Sequence, residues 1–182
     1  MITKNMLYIH VIIFSCFILY LVSANFLFDQ LIPVNGESRL HTVDLPQESK
    51  NIRYSIDSIN LNKLEWKEIY TFFGWAIIEG QNTENTTIFL VFTNESTQYI
   101  FTTQPVLRYD VTAFLSDIFE NKTNLDNSGF EANVPKGLID DKRYQIGILI
   151  ENRTTKNFIK TKNYCVDGKC YIEESRIVQF NN

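Results

Sequence analysis

Histidine is nearly missing from this sequence. Its two are His10 and His41, and neither falls in the stretch that reads as a folded domain. That takes away the commonest general base and the commonest zinc ligand, so neither a metal nor any other cofactor is expected. Positive charge is thin as well. Lys4 is the only formally charged side chain before Asp29, so all 21 acidic residues and all but one of the 17 basic residues lie beyond residue 28. No basic cluster stands out, and nucleic acid is disfavoured as a partner, because neutralising phosphates needs grouped Lys and Arg. Alanine is scarce while Ile, Phe, Tyr and Thr are plentiful, which favours sheet over helix. With 45% apolar and 21% charged residues, the chain is neither disordered nor a polytopic membrane protein.

What is present starts with an apolar run from Met6 to Phe28. As a helix rising about 1.5 Å per residue, it spans the roughly 30 Å of a hydrocarbon core. Lys4 and the α-amine lie on one side and Asp29 on the other, so the positive-inside rule puts the N-terminus in the cytoplasm and the bulk of the chain outside. The expectation is a single-pass anchor through residues 6–28. The alternative is a secreted chain, cut after Ala24, since Val22-Ser23-Ala24 has the small-residue spacing of a cleavage site. Both readings deliver the rest of the chain outside the membrane. The organisation that follows is an anchor over 1–28, a juxtamembrane linker over 29–53 carrying Pro33, Gly36 and Pro46, and a folded domain over 54–182.

The domain is organised around Ile69–Ile78, which is apolar on both alternating faces. Tyr70, Phe72, Gly74, Ala76 and Ile78 share one face. Ile69, Phe73, Trp75 and Ile77 share the other. Such a strand is covered on both sides, and Trp75 is expected in the core. Before it, Tyr54–Leu61 alternates and then switches face, a strand with a bulge, with the turn expected at Asn60–Lys63. Thr86–Thr93 and Gln98–Thr103 complete an expected three-stranded meander, with a polar hairpin connection at Gln81–Asn85.

The period then changes. Val111, Phe114, Leu115 and Ile118 form one helical stripe, with Asp110 placed as the N-cap. Arg108 precedes it, either as a structural ion pair or as a grip on an acidic or hydroxylated ligand. Asp126–Gly129 reads as a β-turn with Gly129 at positive φ, and too few oxygen donors are at hand for a calcium loop. Gly129–Pro135 places Phe130, Ala132 and Val134 inward, and Arg143–Ile150 is the cleanest strand of the chain. The last hairpin runs from Asn157 to Cys165 and from Cys170 to Gln179, turning on Asp167-Gly168, a type I′ signature. Cys165 and Cys170 lie symmetrically about that turn, so a disulfide is expected if the compartment is oxidising. The alternative, half of a metal site, lacks a second pair, because Cys16 lies in the apolar run. Four N-x-[S/T] sequons, at Asn85, Asn94, Asn121 and Asn152, fall at expected turns and strand ends.

Taken together, Gly74-Trp75-Ala76, Arg108-Tyr-Asp110-Val111, Ser128-Gly129-Phe130 and the strand holding Tyr144 resemble a bacterial membrane-anchored Ig-like β-sandwich module. The resemblance covers the chain from Tyr54 to Thr161. Members often carry proline where this chain has Tyr109. The resemblance implies an extracytoplasmic module and supplies no catalytic residues. The fold class expected is therefore all-β: an antiparallel Ig-like sandwich with one short helix, behind an N-terminal transmembrane helix. The function expected is a non-catalytic interaction module of the cell envelope, its partner an envelope glycan or another membrane protein. The alternative is a carbohydrate-binding module, with Trp66, Tyr99 and Tyr109 as candidate contacts. No nucleophile–base pair is recognisable, and an enzyme is not expected.

Overall fold

Lys67–Ile78 forms the strand at the centre of the first sheet, and its two apolar faces are both covered. The computed structural model describes residues 12–20, 44–64, 67–119, 123–140 and 142–173. Among the described residues, nine strands follow one another as β1 (Ile52–Leu64), β2 (Lys67–Ile78), β3 (Thr87–Thr93), β4 (Gln98–Thr102), β5 (Gln104–Val106), β6 (Gly129–Pro135), β7 (Tyr144–Glu151), β8 (Lys156–Val166) and β9 (Lys169–Tyr171). A helix of residues 12–20 is α1, and Tyr109–Phe119, between β5 and β6, is α2. The strands make two sheets, ordered β1-β2-β6-β5 and β4-β3-β7-β8-β9. Every pairing between these strands is antiparallel. The molecule is thus an all-β sandwich with one short helix against it.

The core lies between the sheets. Tyr70, Phe72, Ala76 and Ile78 of β2 and Phe130, Ala132 and Val134 of β6 meet Leu90 and Phe92 of β3 and Tyr144, Ile146, Ile148 and Ile150 of β7. Phe72 and Phe92, from opposite sheets, pack edge to face with ring centroids 5.6 Å apart, and Phe92 does the same with Phe101 at 5.4 Å. Burial of side chains this size contributes about 1.5–3 kcal/mol each. The outer face of β2 has its own cover. Trp75 and Ile77 pack with Val111 and Leu115 of α2 and with Leu125. On the second sheet, Val91, Ile100, Leu149 and Phe158 form an outer cluster against which Leu45 packs.

Several local expectations are corrected. The linker expected through Arg53 gives way to structure earlier. Ser49 donates to the carbonyl of Phe158, Glu48 bridges to the same residue, and β1 already begins at Ile52. Leu45 drives this, since it has an apolar cluster to cover. The turn expected at Asn60–Lys63 lies inside β1, which pairs with β2 as far as Leu64↔Lys67. Asn62 is held there by donating to Thr71 Oγ1 at 2.8 Å, and Lys63 pairs with Glu68 across the ladder at 3.1 Å. The bulge is where the face switch predicts it, between Ile56 and Ser58.

The three-stranded meander is not formed either. β2 pairs with β1 and β6, whereas β3 pairs with β4 and β7. The polar connection at Gln81–Asn85 therefore crosses from one sheet to the other. Alternation shows that both strands are buried, and it carries no information on which sheet each joins. β9 ends at Tyr171, and the part of the expected strand from residue 174 onward lies outside the described residues.

By contact the chain divides into a unit of residues 1–35 and one of 36–182. In the first, α1 carries exposed apolar side chains, among them Ile12, Phe14 and Leu19. The expected span 6–28 extends past it on both sides, outside the described residues. Among the described residues no helix is long and apolar enough to cross a membrane.

Candidate functional site

The residues that stand out most in the sequence meet at the start of α2. Asp57 is the extra residue of the β1 bulge, which turns its carboxylate out of the ladder. It accepts from Arg108 Nη1 at 2.6 Å. Arg108 also donates from Nε and Nη2 to the two oxygens of Asp110, at 2.8 and 2.7 Å. This fork geometry is the strong form of the Arg–carboxylate pair. The hydrogen bonds from Arg108 hold the Asp110 carboxyl below its ordinary value, and Asp110 raises the guanidinium in return. With two carboxylates of the same domain on it, Arg108 has its charge answered at the surface, which speaks for the structural reading and against a grip on an anionic ligand.

Three details differ from expectation. Asp110 does not cap α2. The helix begins at Tyr109, and the carbonyl of Arg108 accepts from the amides of Val111 and Thr112. Asp110 thus sits inside the first turn, where a negative charge still suits the helix dipole. Gly129 is extended, at φ −80°, rather than left-handed. Glycine is needed there for space. A Cβ would collide with the carbonyl oxygen of Val106 and come within 2.5 Å of Arg108 Cγ. Nor is the expected stripe of α2 fully inward: Val111 and Leu115 are buried, Ile118 packs beside them, and Phe114 is 53% exposed.

The aromatic candidates do not gather. Trp75 and Phe130 are core residues, 4% and 1% exposed. Tyr99, a candidate contact, is half-buried on β4 and stacks in a tilted arrangement against Phe101 and Tyr144. Its ring closes the edge of the core, because the inner face of β4 has no other large side chain at that end. Tyr109 is exposed at the start of α2. Trp66 lies outside the described residues. Cys165 and Cys170 face each other in the β8–β9 ladder and are joined as a disulfide, about a turn whose Asp167 and Gly168 both have positive φ. No group of three potential metal ligands occurs among the described residues.

Two grooves lined by polar side chains lie at opposite ends of the second sheet, at turns that carry three of the sequons, Asn85, Asn94 and Asn152. Each is built on the same turn. In Asn94–Thr97 the side-chain oxygen of Asn94 accepts from the amides of Ser96 and Thr97. In Asn152–Thr155 the oxygen of Asn152 accepts from those of Thr154 and Thr155. These are Asx turns, closed by the asparagine itself. The smaller groove, of about 270 Å³, lies between the Asn152 turn and Asn85–Thr86, with Arg153 on its wall. The larger, of about 490 Å³, lies between the Asn94 turn and Lys142–Arg143.

Beside the larger groove the β7–β8 ladder is irregular, with Ile146 set against an enlarged β8 segment. Gln145 spans the irregularity, donating to the carbonyls of Thr161 and Asn163. The Arg143 guanidinium lies 4.5 Å over the ring of Tyr164. Tyr164 in turn stacks on Tyr171, with centroids 5.2 Å apart and planes 23° apart. A signal for this pair exists in the sequence. Once Cys165 faces Cys170 across Asp167-Gly168, Tyr164 must face Tyr171 on the opposite side of the ladder.

These features define a class: a small antiparallel two-sheet sandwich with grooves lined by polar side chains at the ends of its second sheet. No family model, no curated protein and no solved structure matches the chain.

Proposed function

We propose that this chain is a membrane-anchored, non-catalytic interaction module of the cell envelope, with an Ig-like domain outside the membrane. The observation that carries the reading is the commitment of the motif residues. Trp75, Phe130 and Gly129 serve packing, and Arg108 and Asp110 serve one ion-pair network within the domain, at its surface. Among the described residues, the two grooves lined by polar side chains and the exposed Leu107, Tyr109 and Phe114 are left to meet a partner. The Ig-like reading has support in the strand order. β1-β2-β6-β5 opposite β4-β3-β7-β8 corresponds to A-B-E-D opposite C′-C-F-G. The disulfide fits an oxidising exterior, and the apolar run 6–28 with Lys4 before it fits an anchor with its N-terminus inside.

A second reading, a carbohydrate-binding module, is favoured by one observation: the larger groove is lined by polar side chains, and one of them, Arg143, lies over Tyr164, which stacks on Tyr171. Sugar recognition uses aromatic faces beside hydrogen-bonding groups. The test is cross-linking of the full chain in intact cells, followed by recovery from solubilised membranes. One recurrent membrane protein supports the first reading. Recovery of envelope glycan without such a protein supports the second. A hydrolytic activity that follows the purified chain overturns both.

A further inference from the structure

We infer that the groove between the Asn94 turn and Lys142–Arg143 is a binding site for an acidic saccharide, one carrying carboxylate or sulfate groups. The inference rests on the carbohydrate reading and gives it a place and a charge. The charge comes from the cations. Among the described residues Arg53 and Arg108 are each held by carboxylates. Lys63, Lys136, Lys156 and Lys160 are held as well. Lys142 and Arg143 are adjacent, exposed and lie on the wall of one groove, and among the described residues no carboxylate reaches either within ion-pair distance. Two adjacent cations that no described carboxylate pairs, on a net acidic chain, are a place for an anion.

The geometry of Arg143 adds to this. Its guanidinium rests on the Tyr164 ring, which fixes the plane without using the N–H donors, so the fork remains free for an oxyanion. The saccharide part follows from the rest of the wall. Ser96 supplies a hydroxyl, and Glu95 a carboxylate that accepts from sugar hydroxyls. Asn94 Nδ2 is buried and has no hydrogen-bond partner. Every side chain that lines the groove ends in a polar group, so hydrogen-bond donors and acceptors lie around the bound oxygens of a saccharide. Tyr171, 42% exposed at the sheet edge, stacks on Tyr164, the ring beneath Arg143. A volume of about 490 Å³ is within the roughly 300–1,000 Å³ of small-ligand sites.

The experiment is titration calorimetry on the full chain in detergent micelles. The probes are a galacturonic acid tetrasaccharide, its fully methyl-esterified neutral form, a heparin-derived sulfated tetrasaccharide, and poly-L-glutamate. One or both acidic saccharides should bind saturably, more weakly as salt is raised, and their relative affinities assign the acid group. Arg143→Gln should lose about tenfold or more, roughly 1.4 kcal/mol. Lys142→Gln, an exposed change that leaves the fold untouched, should lose several-fold. Arg153→Gln in the other groove should lose nothing. Undiminished binding in both Arg143→Gln and Lys142→Gln overturns the site and leaves the carbohydrate reading standing. Equal binding of the methyl ester overturns the acidic class. Equal binding of poly-L-glutamate overturns the saccharide in favour of an acidic peptide. No binding of any saccharide overturns the inference and the carbohydrate reading together.

Discussion

At the scale of single residues, Arg108 ties three segments: the bulge of β1 through Asp57, the first turn of α2 through Asp110, and the start of β6 through the space Gly129 leaves for its stem. Exposed pairs give about 0.2–1 kcal/mol each, and the buried stem adds packing. Arg108→Met should therefore cost about 1–2 kcal/mol at neutral pH, read as a shift in the urea midpoint followed by Trp75 fluorescence. The pH dependence has a definite sign. The Asp110 carboxyl is depressed below its ordinary 3.8, so its contribution is present above that value and is lost as the pH falls through the folded-state value. The cost of Arg108→Met should shrink in acid, below about pH 4. A cost unchanged between neutral and acid pH would show that the carboxylates play no part. Gly74 is a second such residue. A Cβ there would meet the carbonyl of Ser55 and lie 2.7 Å from the Phe130 ring. Overpacking of this kind costs about 1–3 kcal/mol, so Gly74→Ala should lower the urea midpoint accordingly, while Gly137→Ala, with open space around it, should not.

At the scale of elements, α2 owes its place to one face only. Leu115 is fully buried against Trp75 and Ile77 on the back of β2, while Phe114, its neighbour, points to solvent. Leu115→Ala should cost about 2–4 kcal/mol, and Phe114→Ser should stay within about 0.5 kcal/mol. Equal costs would mean that the helix does not sit on β2 as described. The stripe in the sequence foretold three of its four members, because a period of 3.6 places Phe114 at its margin and only the neighbouring sheet decides which side of the margin is covered. The same limit runs through the fold. Alternation located β2, β6 and β7, and the face switch located the bulge, since each is written in local periodicity. The sheet change between β2 and β3 is not local. The turn after β1 was misplaced because Asn60 and Asn62, usually turn residues, are held in the ladder by partners across it. Of the candidate site, Cys165 and Cys170 were legible from the Asp167-Gly168 register. Lys142 and Arg143 were not, because nothing in their own sequence says that the Asn94 turn stands opposite.

At the scale of the whole molecule, three cysteines report on compartment, anchor and hairpin at once. Cys16 is a free, exposed thiol on α1, while Cys165 and Cys170 are joined. The loop they close is short, so Cys165→Ala with Cys170→Ala should cost about 2 kcal/mol or less and should speed hydrogen exchange in β9 before the rest of its sheet. The count of alkylatable thiols then tests the topology. The chain is taken from its own cells in denaturant, alkylated, reduced, alkylated again with a heavier reagent, and weighed intact. A chain anchored through residues 6–28 with its domain outside should carry one light label and two heavy ones. A chain cut after Ala24 has lost Cys16 and should carry two heavy labels alone, with its N-terminus at Asn25. A domain kept in a reducing cytosol should carry three light labels, since glutathione keeps exposed hairpin disulfides open there. That last pattern would overturn the extracytoplasmic reading, and with it the reason for seeking the partner of the Asn94 groove in the cell envelope.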